Sequence, residues 1–535
     1  MNQALHTDTM KQKISVALAA IALGANAAAQ DIYKMEQFSA KDLAGTSRFV
    51  GMGGAMNALG ADLSTIAGNP AAIGMYRSSD IALTGGVTAQ PNGEEFADIS
   101  RARATFDQAG FVYSAKMGSE GVKFVNFAFN YQKSKNLKNY IGLSNIALGG
   151  LSQSLQMLDL SYGSRGWLDL DLTEDRELTT PLACLGYDTY MIDKAYDDEG
   201  NFDGYVPSSA QDYTYRRGQW GGIQQYDFNI SFNVEDRVYA GLTVGAYNVN
   251  CHSYTAYAEN LLDENGGLHP YYMKNVEDVS GNGFDLKLGA IFRPFEASPF
   301  RLGFAVHTPT FYDLETSSYL YMDSPYMSNG ADHTSASVSV PGNYYKLRTP
   351  WKFLVSAATT AGKVFAIDAE YEFSNPSTAR VSYGDYDYDW DWGWGLGRTD
   401  YGLKDEAKCW LKPVHTFRLG MEARLLPGVA LRLGYNYQSS AFEKDAYLNL
   451  FTDSPSYYYQ TNTDYVNLGD INRLTAGLGW RGSHWYCDFA YQYQIQKADV
   501  YPFHIPEVNS DVNRICPQEV QLNRQTAQLT IGYKF

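Results

Sequence analysis

The chain has 535 residues, 45% of them hydrophobic and 14% aromatic, including 42 Tyr, 26 Phe and 9 Trp beside 49 Gly, and a formal net charge of −17. So acidic a chain is ill suited to nucleic acid, and no run of apolar residues approaches the length of a membrane-spanning helix. A membrane protein of this sequence must therefore cross with strands, and the aromatic and glycine content fits a girdled barrel better than a helical enzyme.

Residues 1–30 read as a secretory signal: Lys11 and Lys13 form the basic region, Ile14 to Ala25 the apolar core, and Ala27-Ala28-Ala29 the cleavage site. The mature chain is expected to begin at Gln30 or Asp31, with Met10 an alternative initiator. Residues 31–77 precede the first strand pattern and contain SRFVGMGGAMNALGADLSTIAGNPAAIG, Ser47 to Gly74. A phosphate-binding loop at Gly51-Met52-Gly53-Gly54 is disfavoured, because no strand precedes it and Met56 stands where a third glycine is needed. Asn69 instead suits a helix cap, Pro70 the first helical position and Gly74 the end of a single turn. The small residues from Gly51 to Ala61 suit backbone packed on backbone in a confined space.

Gly51, Gly53, Gly54, Ala55, Asp62, Asn69, Pro70 and Ala71 together resemble the N-terminal G-x-G-G-A, Asp and N-P-A elements of the FadL/TodX-like outer-membrane transporters for long-chain fatty acids and other hydrophobic compounds. The resemblance implies a hatch over 31–77 that plugs a 14-stranded barrel, with Gly51, Gly53, Gly54, Asp62, Asn69, Pro70, Ala71 and Gly74 as its gating residues. It also implies passive passage of an acyl or aromatic ligand from an outer pocket past the hatch, with exit downward or sideways through the wall.

From residue 78 onward the main signal is alternation with period two. Tyr226, Phe228, Ile230, Phe232 and Val234 oppose Asp227, Asn229, Ser231 and Asn233; Val125, Phe127, Phe129 and Tyr131 oppose Asn126, Ala128, Asn130 and Gln132; Val429, Leu431, Leu433, Tyr435 and Tyr437 oppose Arg432, Asn436 and Gln438. Strands are expected near 78–89, 109–117, 121–132, 224–234, 237–250, 281–293, 299–308, 349–358, 363–373, 413–425, 428–440, 471–481, 484–494 and 523–535. Their tight connections, at Gly118-Ser119-Glu120, Glu235-Asp236, Pro294 to Ser298, Thr360 to Gly362, Pro427 and Gly482-Ser483, alternate with long ones at 90–108, 133–223, 251–280, 309–348, 374–412, 441–470 and 495–522. This predicts an all-β, 14-stranded antiparallel transmembrane barrel over 78–535, with tight turns in the periplasm and long loops outside a Gram-negative cell. The alternating terminal segment ending in Phe535 resembles the signal read by the barrel-assembly machinery.

Charges at inward positions, Asp285, Lys287, Arg293, Arg301, Asp368, Glu370, Glu372, Arg418, Glu422, Arg424, Arg432, Arg473 and Asp488, are expected to pair with one another and with the hatch backbone. No nucleophile, base and orienting group stand at catalytic spacing, so no enzyme activity and no cofactor is expected. Leu148, Leu151, Leu155 and Leu158, with Ile141 and Ile146 ahead of them, suggest an amphipathic helix that caps the loops or offers an apolar wall to a ligand. The run Tyr386-Asp387-Tyr388-Asp389-Trp390-Asp391-Trp392 lacks the EF-hand glycine and terminal Glu, and no metal site is expected there. Of five cysteines, Cys184, Cys251, Cys409 and Cys516 fall in predicted loops, allowing three pairings, and Cys487 lies in a strand. The leading expectation is a monomeric outer-membrane channel for hydrophobic small molecules, in contact with membrane lipid. The alternative is a surface receptor or adhesin whose barrel stays plugged.

Overall fold

A computed structural model describes residues 31–535 apart from 94–95, 97–99, 119–120, 164–165, 326–332, 363, 385–397, 450–453, 455–456, 458 and 505–514. The signal segment 1–30 and the Tyr386–Trp392 run lie outside the described residues.

Fourteen antiparallel strands close into a barrel. They are β1 (Asp80–Ala89), β2 (Ala102–Lys116), β3 (Val122–Asn136), β4 (Ser209–Val234), β5 (Val238–Leu262), β6 (Leu268–Phe292) and β7 (Arg301–His307 continued by Phe311–Ser324). Then follow β8 (Thr334–Arg348 and Lys352–Ala361), β9 (Phe365–Ser374), β10 (Val414–Leu426), β11 (Val429–Gln438), β12 (Tyr465–Arg481), β13 (Trp485–Tyr501) and β14 (Arg524–Lys534). β14 pairs with β1 from Asp80–Lys534 to Ala89–Gln525, which removes every free edge at the level of the bilayer. At the tight turn after β4, Glu235 (φ 53°) and Asp236 (φ 55°) both adopt the left-handed conformation that a two-residue hairpin requires.

The expected alternation appears in exposure. On β4 Phe228 is 57% exposed while Asn229 is 6% exposed, as apolar side chains face lipid and polar ones the lumen. Phe228→Arg should therefore cost about 2–4 kcal/mol near the bilayer midplane, measured by urea titration of the barrel folded in lipid vesicles. Asn229→Arg is not the mild control that alternation alone suggests: Asn229 Nδ2 donates to Pro70 O (3.3 Å) and Thr243 Oγ1 (2.9 Å), so arginine would overfill an occupied lumen.

Two predicted loops are corrected. Most of 251–280 and 309–348 is strand: β4, β5 and β6 run for 26, 25 and 25 residues, far beyond the roughly 9–11 needed to cross a bilayer. Above the membrane the two faces exchange character. On β5 the inward positions pass from Gly241, Thr243 and Gly245 to Tyr257 and Leu261, both buried, while outward positions pass from Leu242 and Val244 to Asn248 and Asn250. No lipid-facing stripe marks this stretch in the sequence. Cys251 consequently sits buried on β5 instead of in a loop, and all five cysteines are free thiols.

The raised strands support a roof. Residues 137–208 carry α-helices at Ser154–Leu160 and Pro181–Asp188 and a hairpin at Ile192–Tyr196 and Phe202–Pro207. An apolar core joins Met157, Leu182 and Met191 of this segment to Tyr213, Tyr257, Tyr271, Leu320 and Phe503 from the strands and far loops. Glu259 ties the roof to β5, accepting from Ser152 Oγ (2.6 Å), Gln153 N (2.7 Å) and Tyr257 OH (2.6 Å). Burial pushes its carboxyl up to about 7, against the three hydrogen bonds that favour the charged form.

Candidate functional site

Residues 31–76 lie inside the barrel. The helix Ile32–Ser39 (α1) is capped by Asp31, which accepts from Lys34 N (2.8 Å), and its apolar positions Ile32, Met35 and Phe38 pack with Tyr247, Leu403, Ala407 and Phe442 beneath the roof. Lys34 pairs with Glu277 of β6. At the other end of α1, Lys135 Nζ donates to Gln37 O (2.5 Å) and Lys352 Nζ to Ser39 O (3.0 Å), placing two cations where the helix exposes its last carbonyls. This helix was missed in the sequence, although Asp31 followed by apolar residues three apart is a readable signal.

Below α1 the chain becomes the compact segment of the glycine motif. A short helix, Ser47–Gly51, is capped by Thr46, whose hydroxyl also donates to both oxygens of Asp62 (2.8 and 2.9 Å). Asp62 in turn caps the next turn, Leu63–Ala67, through Ser64 N (3.0 Å), so this motif residue stitches two turns together. Asn69 accepts from Ala71 N (3.1 Å) and caps Pro70–Met75, with Pro70 in the first helical position as the spacing predicts. Gly74 does not end this turn, which runs on to Met75 and is capped at Tyr76, two residues later. Its role is proximity: a Cβ there would stand 3.0 Å from Phe232 O of β4.

Backbone meets backbone at several such points. A Cβ on Gly51 would stand 3.1 Å from Gly477 Cα of β12, and one on Gly53 2.9 Å from Tyr435 N of β11. Gly53 and Gly54 also have φ of +65° and +82°, which side chains rarely adopt. From the wall side, a Cβ on Gly241 of β5 would come 2.5 Å from Pro70 C, and one on Gly434 of β11 would run into Gly53 N.

The inward polar residues hold the segment from all around. Asn126 Nδ2 of β3 donates to Ile73 O (2.8 Å), Arg301 of β7 to Leu59 O (2.8 Å), Asn436 Nδ2 of β11 to Gly53 O (3.2 Å) and Thr475 Oγ1 of β12 to Gly51 O (3.2 Å). Asp368 of β9 accepts from Ala58 N (3.1 Å) and Leu59 N (2.8 Å), and its neighbour Glu370 from Asn57 N (2.6 Å) and Asn57 Nδ2 (2.8 Å). Paired carboxylates that could have suggested acid–base chemistry are thus occupied by backbone N–H groups.

The other inward charges pair as expected. Arg432 joins Glu422 (2.9 Å) to Asp488 (2.7 Å), and Arg48 of the N-terminal segment reaches the same Glu422 (3.0 Å). Lys287 bridges Asp285 and Asp227, both at 2.8 Å, and Arg418 binds Glu372 (2.7 Å) and Glu370 (3.5 Å). Arg293 and Arg424 lie towards the tight-turn rim, Arg293 donating to Ser298 O (2.9 Å) and Arg424 pairing with Glu422 at 3.4 Å.

Two cavities flank α1. One of about 170 Å³ is lined by Lys34, Cys251, Glu277, Phe442, Tyr465 and Arg473 among others. The second, about 110 Å³, lies between α1 and the lower segment against Phe49, His307, Lys352, Leu354 and Arg418. Both mix charged and apolar side chains. Leu148, Leu151, Leu155 and Leu158 line neither: Leu148 is buried in the roof core and the other three pack against it, while the helix takes up only Ser154–Leu160 and Ile141 and Ile146 lie on the strand Asn139–Ala147.

The fold and interior define a closed, internally filled transmembrane barrel. Comparison with solved structures finds similarity to a FadL homologue of Pseudomonas aeruginosa (13% identity, 92% of this chain and 99% of that one, TM-score 0.49). The CymD monoaromatic hydrocarbon channel (12%, 93% and 99%, TM-score 0.47) and the Pseudomonas putida toluene transporter TodX (11%, 92% and 99%, TM-score 0.47) are similar to the same degree. At such identities and scores the fold rests on the chain's own strand pairing. No protein-family model matches the chain, and no curated protein matches it.

Proposed function

We propose that the protein is an outer-membrane channel for hydrophobic small molecules in which residues 31–77 act as a displaceable plug. The observation that supports it is the way the segment is held: buried at Gly51, Gly53, Gly54, Asp62, Asn69 and Ala71, yet held against the wall by hydrogen bonds, ion pairs such as Arg48–Glu422, Lys34–Glu277 and Asp42–Arg524, apolar packing and glycine contacts. Such contacts can be exchanged without breaking a covalent bond, and two cavities lie beside α1 above the segment. The FadL/TodX-like motif in these residues agrees with this reading. A ligand would meet the roof first, where Leu151, Leu155 and Leu158 are half-buried, then α1 and the plug. Phe535, 67% exposed at the tight-turn end, is free to be read during barrel assembly.

The roof favours a second reading, a receptor or adhesin with a permanently closed barrel, because its apolar core must part before anything enters. Deleting residues 31–75 and reconstituting both proteins in liposomes separates the two. A transporter should show low single-channel conductance when intact, a large rise in the deletion, and selective uptake of a fluorescent acyl probe by the intact protein alone. Equal conductance in both proteins would mean that the segment does not occlude the barrel. A conductance rise without probe uptake by the intact protein would leave the receptor reading.

A further inference from the structure

Where the lipid-facing belt of β3 ends, the chain gathers four cations. Tyr131 of β3 and Tyr226 of β4 pack ring against ring at the top of this belt (centroids 5.4 Å), and Lys133 is the next outward residue, its chain lying over Gly222. The ladder between β2 and β3 has stopped just below, at Gln108–Gln132. Arg103, whose register partner on β1 is the lumen-side Thr88, therefore has no β3 partner on its other edge. Lys138 follows the end of β3, and its Nζ is buried with no hydrogen-bond partner among the described residues. Arg524, at the start of β14, donates to Lys138 O (3.0 Å) and to Asp42 Oδ2 (3.2 Å).

These groups repel one another. Burial, and then the charges of Arg103, Arg524 and Lys133, hold the Lys138 ammonium below its ordinary range. Two acids stand near among the described residues. Asp42 is already engaged by Arg524 and by Asn136 N (3.0 Å), with Arg473 at 3.8 Å, and Asp107 Oδ2 is buried without a partner. On a chain of net charge −17 such a cluster runs against the composition. A partly desolvated ammonium without a counter-ion is costly, and an arriving oxyanion would relieve that cost.

We propose that Arg103, Lys133, Lys138 and Arg524 bind the phosphorylated head group of an outer-leaflet glycolipid at the opening between β2 and β3. The site lies where the apolar belt gives way to polar surface, at the long-loop end of the barrel, which is the depth of lipid phosphates. Guanidinium groups match phosphate oxygens in paired hydrogen bonds, and basic pockets at a membrane surface are suited to anionic heads. The inference depends on the barrel's orientation and not on the transport reading.

The test uses the full-length protein in neutral detergent, with native mass spectrometry of bound bisphosphorylated lipid A, the same lipid dephosphorylated, and lauric acid. The wild type should retain bisphosphorylated lipid A, release it as salt rises, and bind the dephosphorylated lipid poorly. Lys133→Gln with Lys138→Gln should weaken retention roughly tenfold or more. Lys123→Gln, at the opposite rim, should leave it unchanged. Heat-modified gel migration reports whether each barrel is folded. Should the double variant fail to fold, Lys138→Gln alone and the wild-type salt titration decide. Equal binding of the dephosphorylated lipid, salt-insensitive binding, or full retention by a folded variant overturns the proposal. Displacement of lipid A by an equal concentration of lauric acid also overturns it, assigning the cations to a carboxylate-headed ligand instead.

Discussion

Replacing Arg432 by methionine is expected to destabilise the folded barrel by about 3–5 kcal/mol, because it removes the cation between two buried carboxylates. Arg432 is 1% exposed and joins Glu422 at 2.9 Å to Asp488 at 2.7 Å. The lower end of the range is expected, since Glu422 keeps Arg48 at 3.0 Å and Asp488 keeps Arg481 at 2.8 Å. Arg424→Met removes another contact to Glu422 (3.4 Å), but that guanidinium is 61% exposed, and solvent screening should limit the loss to about 1 kcal/mol or less. Urea titrations of both variants in vesicles, followed by tryptophan fluorescence, measure the difference. Equal midpoints would mean that the Arg432 network contributes no more than a surface pair.

Gly434→Val should have the largest effect on the lumen. A side chain there would run into Gly53 N and Met52 C, and neither is a flexible side-chain end that could swing aside. Overfilling of this kind costs roughly 1–3 kcal/mol, and the weakest response is for the N-terminal segment to shift, since β11 is bonded on both sides, to β10 and β12. The barrel should assemble in normal amounts while single-channel conductance rises. Gly118→Val, at a turn where an added Cβ meets nothing within 4 Å, is the control and should behave as wild type. Unchanged conductance in Gly434→Val would show that the segment and wall do not form a tight seal at Gly53.

Gly54→Val acts within the N-terminal segment itself, combining a φ of +82° with a clash against Leu43 Cδ1 at 2.7 Å. The sequence made the crowding at Gly51 to Gly54 legible as a run of small residues. Their partners Gly420, Gly434 and Gly477, spread over β10, β11 and β12, were not legible, because period-two alternation says which way a residue faces and nothing about what stands opposite. Asn57 and His307 escaped notice for the same reason. Asn57 contacts Glu370, more than three hundred residues away in the chain, and His307 contacts Gly68 O at 2.6 Å.

What the amino-acid order determined by itself is the barrel. Side-chain period is set by the pleat, lipid and lumen impose opposite polarity on its two faces, and alternating short and long connections set strand number and direction, so each strand carries its own evidence. The caps at Asn69 and Pro70 are equally local, since a cap reaches only two or three residues along the chain. Tertiary structure decided the rest. Above the bilayer no lipid imposes an apolar outer face, so β4 to β8 rise unmarked, and Tyr257, Leu261 and Tyr271 become core only because the roof folds over them. The leucines from Leu148 to Leu158 carry a helical spacing, but whether they face a ligand or a core depends on strands far along the chain. The lumen charges could be counted in the sequence, whereas their pairing into Arg432–Glu422–Asp488 or Lys287–Asp227–Asp285 depends on the shear with which the strands close.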